Sequence, residues 1–187
     1  IKNFDIDFLT NTILVTASIY LFLVTLRDFF VKEHTKLSQK IAHFGFSVLI
    51  LSILLNNIFS TEIITNMKIG ETFNSNKIQI NFESLEKKNI NNYDSIIGQF
   101  KIKNSNGSTD VLKPELRIYN QPNIVTSEAY IKTNLFTDKF MTMNLVQNQD
   151  YFNIRYQTKP LMIWIWLSVL MISFGAILSL FKNKNEI

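Results

Sequence analysis

Ile41-Ala-His-Phe-Gly-Phe-Ser-Val-Leu-Ile-Leu-Ser-Ile-Leu-Leu-Asn-Asn-Ile-Phe59 decides the fold. The run holds no Asp, Glu, Lys or Arg, and its polar interruptions are His43, two serines and the pair Asn56-Asn57. It is long enough to cross a bilayer as a helix. His43 is its one titratable side chain. On insertion scales an Asp, Lys or Arg at mid-membrane costs roughly 2.5–3.5 kcal/mol. A neutral imidazole costs less but still needs a partner, and a metal, a proton path or a neighbouring polar group can each fill that role.

Working outward, two further apolar runs flank this one. The first covers about Phe8 to Leu26 and ends at Arg27, Asp28, Lys32 and Glu33; the last covers about Leu161 to Phe181 and is followed by Lys182 and Lys184. The loop from Arg27 to Lys40 carries Arg27, Lys32, Lys36 and Lys40. Three spans put that loop and the C-terminal tail on one side, and their Lys/Arg content makes it the inner side. The intervening segment then lies on the outer face, periplasmic in a bacterium or facing the intermembrane space in a mitochondrion.

That segment reads as β. Lys77-Ile-Gln-Ile-Asn-Phe82, Gly98-Gln-Phe-Lys-Ile-Lys103, Glu115-Leu-Arg-Ile-Tyr119, Glu128-Ala-Tyr-Ile-Lys132 and Tyr151-Phe-Asn-Ile-Arg-Tyr156 alternate polar with apolar residues. Asn104-Ser-Asn-Gly107 is a turn cluster. About six or seven short strands suggest a small antiparallel sandwich or barrel. The expected fold is a membrane protein of three transmembrane helices with an inserted small antiparallel β domain. Residues 1–59 supply two helices (about 8–26 and 41–59), 60–159 the soluble β domain on the outer face, and 160–187 the third helix and a short inner tail.

Composition removes several classes. The 187 residues include no cysteine, so thiolate metal sites, disulfides and cysteine nucleophiles are excluded. The net charge of +4 is scattered, with no basic block that asks for nucleic acid. No phosphate loop, HExxH or credible Ser/His/Asp arrangement is present. Heavy use of Ile, Asn, Phe and Lys resembles proteins encoded by AT-rich genomes, organellar ones included. The first residue is Ile1, which is compatible with a processed product, a tail, or one piece of a larger protein.

Few residues could carry chemistry. Glu115 and Arg117 share one face of a strand and read as a structural ion pair or a functional clamp. His34 reads as a solvated loop residue; nine positions from His43, it would stand on the order of 13 Å away along a continuous helix. His43 reads either as an interfacial residue reaching the headgroups or as an axial ligand to a haem iron. Ala42 and Gly45 leave room there for a flat macrocycle. Trp164-Ile-Trp166 after Pro160 reads as an interfacial aromatic belt, with Pro160 in the first turn of the last helix.

In order, these pieces resemble the C-terminal part of the cytochrome c haem lyase family CcmF. Ile41-Ala-His-Phe-Gly45 is similar to the family's A/G-H-x-G segment, Lys68-Ile-Gly-Glu71 to the turn opening its soluble domain, and Lys113-Pro-Glu-Leu-Arg-Ile-Tyr119 to its P-E-x-R-x-Y strand. Thr126-Ser-Glu-Ala129 resembles its T-E-A stretch, and Arg155-Tyr-Gln-Thr-Lys-Pro160 with Trp164-Ile-Trp166 its approach to the last span. The resemblance implies a role in attaching haem covalently to apocytochrome c, with haem delivered by the chaperone CcmE. It implies that His43 is an axial ligand of a b-type haem in the membrane.

The family's Trp-rich segment, its flanking histidines and the second membrane histidine have no counterpart here. Gly-Pro ahead of its Asn-Tyr is Ile90-Asn91, and two glycines of its last span are Ser168 and Val169. The expectation is therefore a subunit of a lyase of the split mitochondrial type in the mitochondrial inner membrane, or its counterpart in a bacterial inner membrane. It would share haem b with a partner CcmF-like chain that carries the missing pieces. The alternative is a structural membrane subunit of a larger respiratory assembly, without lyase activity of its own.

Overall fold

The structure is a computed structural model that describes residues 6–31, 36–75, 78–104, 107–146 and 150–182. The chain forms two compact units, one of helices and one of strands, and the four residues Asn134–Thr137 group with the helices.

The helical unit contains α1 (Ile6–Arg27), α2 (Leu37–Phe59) and α3 (Met162–Lys182). All three are long and apolar enough to cross a membrane, and the protein is a membrane protein with an inserted β domain. α2 starts earlier than the apolar run because its first turn tolerates polar residues: Gln39 Oε1 accepts from the Lys36 backbone N–H at 3.4 Å. Beyond α1, Lys40 Nζ donates to the carbonyls of Val31, at 3.0 Å, and Asp28. A cation beside the last carbonyls of a helix is favoured by their partial negative charge.

The helices associate through small residues, as membrane helices do when apolar burial gives no net gain over lipid. Ser38, Gly45, Ser47, Val48 and Ser52 form the buried side of α2. Ser47 and Thr25 hydroxyls share a hydrogen bond of 2.7 Å between α2 and α1. Against α3 the approach is closer still. A Cβ on Gly175 would lie 2.7 Å from the Ser38 carbonyl oxygen and 2.9 Å from Ala42 Cβ. Ser168 is fully buried and bonds back to the Ile165 carbonyl at 2.7 Å.

The β unit holds ten strands among the described residues: β1 (Thr61–Met67), β2 (Thr72–Asn74), β3 (Ile78–Ile90), β4 (Tyr93–Asn104), β5 (Thr109–Leu112), β6 (Glu115–Asn120), β7 (Asn123–Glu128), β8 (Tyr130–Thr133), β9 (Thr137–Leu145) and β10 (Phe152–Pro160). They make a four-stranded sheet, β1-β10-β9-β8, and a six-stranded sheet, β2-β3-β4-β6-β7 with β5 also on β4. The strand count exceeds the sequence expectation because β1, β2, β5, β7 and β9 were not among the alternating stretches; β3 and β4 are also longer than the stretches that announced them and form one long hairpin. Asn91-Asn92 turn that hairpin. Its alternation is reset at a bulge between Phe82 and Ser84.

The core is Met67, Ile80, Phe82, Phe100, Ile102, Leu112, Leu116, Met141, Met143, Ile154 and Tyr156, drawn from both sheets. Phe82 stacks on Phe100 with centroids 4.2 Å apart and meets Phe152 edge-on at 5.6 Å. Gly98 is needed where the layers are tightest: a Cβ there would lie 2.6 Å from the Phe100 ring and 2.8 Å from Met143 Sδ. The turn at Lys68-Ile-Gly-Glu71 is as the sequence suggests, with Gly70 at φ +86° and its N–H donating to the Phe82 carbonyl at 2.7 Å.

Pro160 is a correction. It closes β10 rather than opening α3, and Leu161 makes the join with φ +59°. That left-handed conformation is unfavourable for a branched side chain. It is held by Leu161 N–H donating to the Phe136 carbonyl at 2.9 Å and by Trp164 N–H donating to the Leu161 carbonyl at 3.1 Å. Asn56 Nδ2 donates to the Pro160 carbonyl. The Asn56-Asn57 interruption of the span is thus half explained: one member closes the helical unit, while Asn57 is exposed.

Candidate functional site

His43 stands in the second turn of α2 and is exposed. Gln39, Phe46, Ile53 and Asn57, at helical spacing from it, are exposed as well. Among the described residues none makes a hydrogen bond or ion pair to the imidazole. Close by, Phe44 points to the α1 side, with Phe22 and Phe29 ring centroids each 5.5 Å away.

The space beside Gly45 is not a berth for a macrocycle. A Cβ on Gly45 would meet Met171 Cβ at 3.0 Å and the Ile172 backbone nitrogen at 3.1 Å, so α3 already fills it. Any ligand of His43 is met on the exposed stripe of α2. Axial ligation of haem iron needs an imidazole nitrogen whose lone pair is uncommitted, and among the described residues nothing engages either ring nitrogen of His43. No group of three or more His, Cys, Asp or Glu that could hold a metal ion occurs among the described residues. His34 lies outside the described residues.

Glu115 and Arg117 do pair, at 3.0 Å. The guanidinium also lies 3.9 Å from Glu128 and sits over the Tyr93 ring at 5.2 Å, while Ser95 Oγ donates to Glu115 at 2.7 Å. The Arg117 bond holds the Glu115 carboxyl below the usual carboxylate range, against the opposing effect of burial and with help from Ser95. These contacts join β4, β6 and β7 within one sheet, which is the work of a structural ion pair.

A second polar cluster gave no sequence signal. Asp110 on β5 accepts from Lys132 Nζ of β8 at 2.6 Å and from Lys139 Nζ of β9, and so bridges the two sheets. Burial pushes the Asp110 carboxyl up, but the two lysines and Asn104 outweigh it and bring it down to about 2. Tyr156 nearby is pushed up to about 12 by burial and by the Asp110 charge. Buried charge at these strand positions breaks the alternation that would otherwise announce β5 and β9.

Of the tryptophans, Trp164 has its indole N–H donated to the Leu135 carbonyl at 3.0 Å, and Trp166 is exposed. Both stand in the first turns of α3, where a membrane helix carries its interfacial aromatics.

Comparison with known proteins bears on what this arrangement serves. Residues 58–160 match the family model described as the CcmF C-terminal beta-sandwich. The cytochrome c-type biogenesis protein CycK of Bradyrhizobium diazoefficiens is 23% identical over 147 residues, covering 79% of this chain and 22% of that protein. CcmF of Escherichia coli is 25% identical over 143 residues, covering 76% and 22%. NrfE of Haemophilus influenzae is 23% identical over 180 residues, covering 93% and 28%. The chain thus spans about a quarter of the length of such curated relatives. A solved structure titled cytochrome c heme lyase CcmF superposes with a TM-score of 0.65 at 13% identity, covering 95% of this chain and 34% of that one, and shares the fold. The β-sandwich set between membrane helices and the match over residues 58–160 place the chain in one family: it belongs to the CcmF C-terminal beta-sandwich family.

Proposed function

We propose that this chain is a subunit of a cytochrome c haem lyase that helps attach haem covalently to apocytochrome c. In this reading His43 supplies one axial ligand to a membrane b-type haem, and a partner CcmF-like chain carrying the Trp-rich segment and remaining histidines supplies the other. The observation that carries it is the exposed His43 imidazole in the second turn of a membrane helix, within a family whose relatives are named for cytochrome c biogenesis.

A bound haem b would contribute one-electron chemistry, with a potential set by its axial ligands and their surroundings. The chain's own contribution is positional. α2 is fixed by its small-residue contacts to α1 and α3, so His43 is presented on a rigid element. Phe46 and Ile53, exposed on the same stripe, offer the partner apolar surface beside the imidazole. Lys and Arg in the first loop and tail support an orientation with those segments on the inner side of an inner membrane, mitochondrial or bacterial. The β domain then faces the intermembrane space or periplasm, where apocytochrome c and the haem chaperone CcmE would meet it.

The test is an absorption spectrum of the intact complex. Wild type is expected to show a low-spin b-type haem that is lost in His43→Ala and regained by His43→Gly with added imidazole. A complex whose haem content is unchanged by His43→Ala sinks the ligand assignment. Depletion of the chain should lower c-type cytochromes before other respiratory assemblies; simultaneous loss of all of them would favour a structural subunit.

A further inference from the structure

The four residues Asn134-Leu-Phe-Thr137 turn β8 into β9, closed by Asn134 N–H donating to the Thr137 carbonyl at 3.2 Å. They group with the helices, not with the strands on either side of them. The tip of the turn carries two large apolar side chains, Leu135 at 56% and Phe136 at 63% exposure. Hairpin tips in water carry polar residues, Gly or Pro; this one carries what a membrane surface selects.

Its position is fixed by two hydrogen bonds to the start of α3. The Phe136 carbonyl accepts from Leu161 N–H at 2.9 Å and the Leu135 carbonyl from the Trp164 indole at 3.0 Å. Leu161 is the last residue before α3 and Trp164 lies in its first turn. α3 crosses the bilayer, so this level is where chain passes from headgroups into hydrocarbon, the depth at which Trp is favoured. The first turns of α3 likewise expose apolar side chains, at Ile163, Trp166 and Leu167.

We propose that Leu135 and Phe136 form a lipid anchor: the β8–β9 tip inserts into the outer headgroup–acyl boundary beside α3. The Leu135 and Phe136 carbonyls that such a turn would expose to lipid already accept hydrogen bonds at the start of α3. Pairing of this kind lowers the cost of irregular backbone at membrane depth. The anchor requires only that α3 spans the membrane and does not depend on the haem assignment.

The absence of cysteine makes the test direct. Leu135→Cys and Phe136→Cys each give a single thiol for a nitroxide, in the intact chain reconstituted into phosphatidylcholine vesicles. Ile177→Cys on α3 is the lipid reference and Lys87→Cys on the β3–β4 hairpin the aqueous one. Both tip labels are expected to collide with oxygen several-fold more often than with a water-soluble nickel chelate, as at Ile177. Preference for the nickel chelate, as at Lys87, overturns the proposal. Shielding from both reagents also overturns it, because it reports a protein cover. If a substitution unfolds the chain, diazirine-lipid photolabelling of the unaltered chain decides. Adducts on Leu135 or Phe136 support the anchor, and adducts confined to α1, α2 and α3 refute it.

Discussion

His43 and Gly45 stand two residues apart on α2 and serve opposite sides of it. The imidazole is exposed, while a Cβ on Gly45 would come within 3.0 Å of Met171 Cβ. Ligand candidate and packing seam are therefore separable by mutation.

Gly45→Leu is expected to destabilise the helical unit by about 1–3 kcal/mol, the usual cost of overpacking. His43→Ala, at an exposed position, should stay within about 0.5 kcal/mol of wild type. Thermal unfolding of the intact chain in detergent checks both. A Gly45→Leu chain as stable as wild type would mean that α3 does not occupy that face.

Asp110 should make the β unit sensitive to strong acid. Its carboxyl sits at about 2, below the ordinary 3.8. A lowered folded-state pKa contributes stability above the unfolded value, and that contribution is lost as pH falls from about 3.8 through about 2. The contribution is about 2 kcal/mol at neutral pH. Asp110→Asn should remove this acid step and lower stability at pH 7, since it also strips the counter-charge from the partly buried Lys139. Near-UV circular dichroism of the intact chain, titrated from pH 7 to pH 1.5, reads the step. An unchanged acid profile in the variant would refute the assignment.

Phe82→Ala removes a ring packed between Phe100 and Phe152 and should cost about 3–5 kcal/mol. Urea unfolding followed by tyrosine fluorescence would show it as a lower midpoint. A loss under 1 kcal/mol would mean that the two sheets close around the vacancy.

The three spans, the β character of the insert and the turn at Gly107 were legible because each rests on a local rule: an apolar run of bilayer length, a two-residue alternation, a turn cluster ending in a glycine at positive φ; the turn at Gly70 was suggested by the family resemblance. β1 was hidden because Thr61-Glu-Ile-Ile-Thr-Asn-Met67 has two adjacent isoleucines and follows α2 after one residue; its partner, β10, is far along the chain. β9 was hidden by Asp138 and Lys139, polar residues in a strand whose Met141 and Met143 are buried. His43 stood out as a candidate because a titratable side chain in an apolar run is conspicuous. The use of Gly45 could not, because a small residue beside a histidine looks the same whether a ligand or another helix fills the space.

The seam between α2 and α3 also has a consequence for biosynthesis. At ordinary elongation rates the stretch from Phe59 to Lys182 takes on the order of 10 s to make. Throughout that interval α2 lies in the membrane with Ser38 and Gly45 awaiting their neighbour. Ser47 does not wait, because Thr25 of α1 is already there to share its hydroxyl. The nascent helix therefore enters lipid with one hydroxyl already partnered by α1, and α3 arrives last to close the groove.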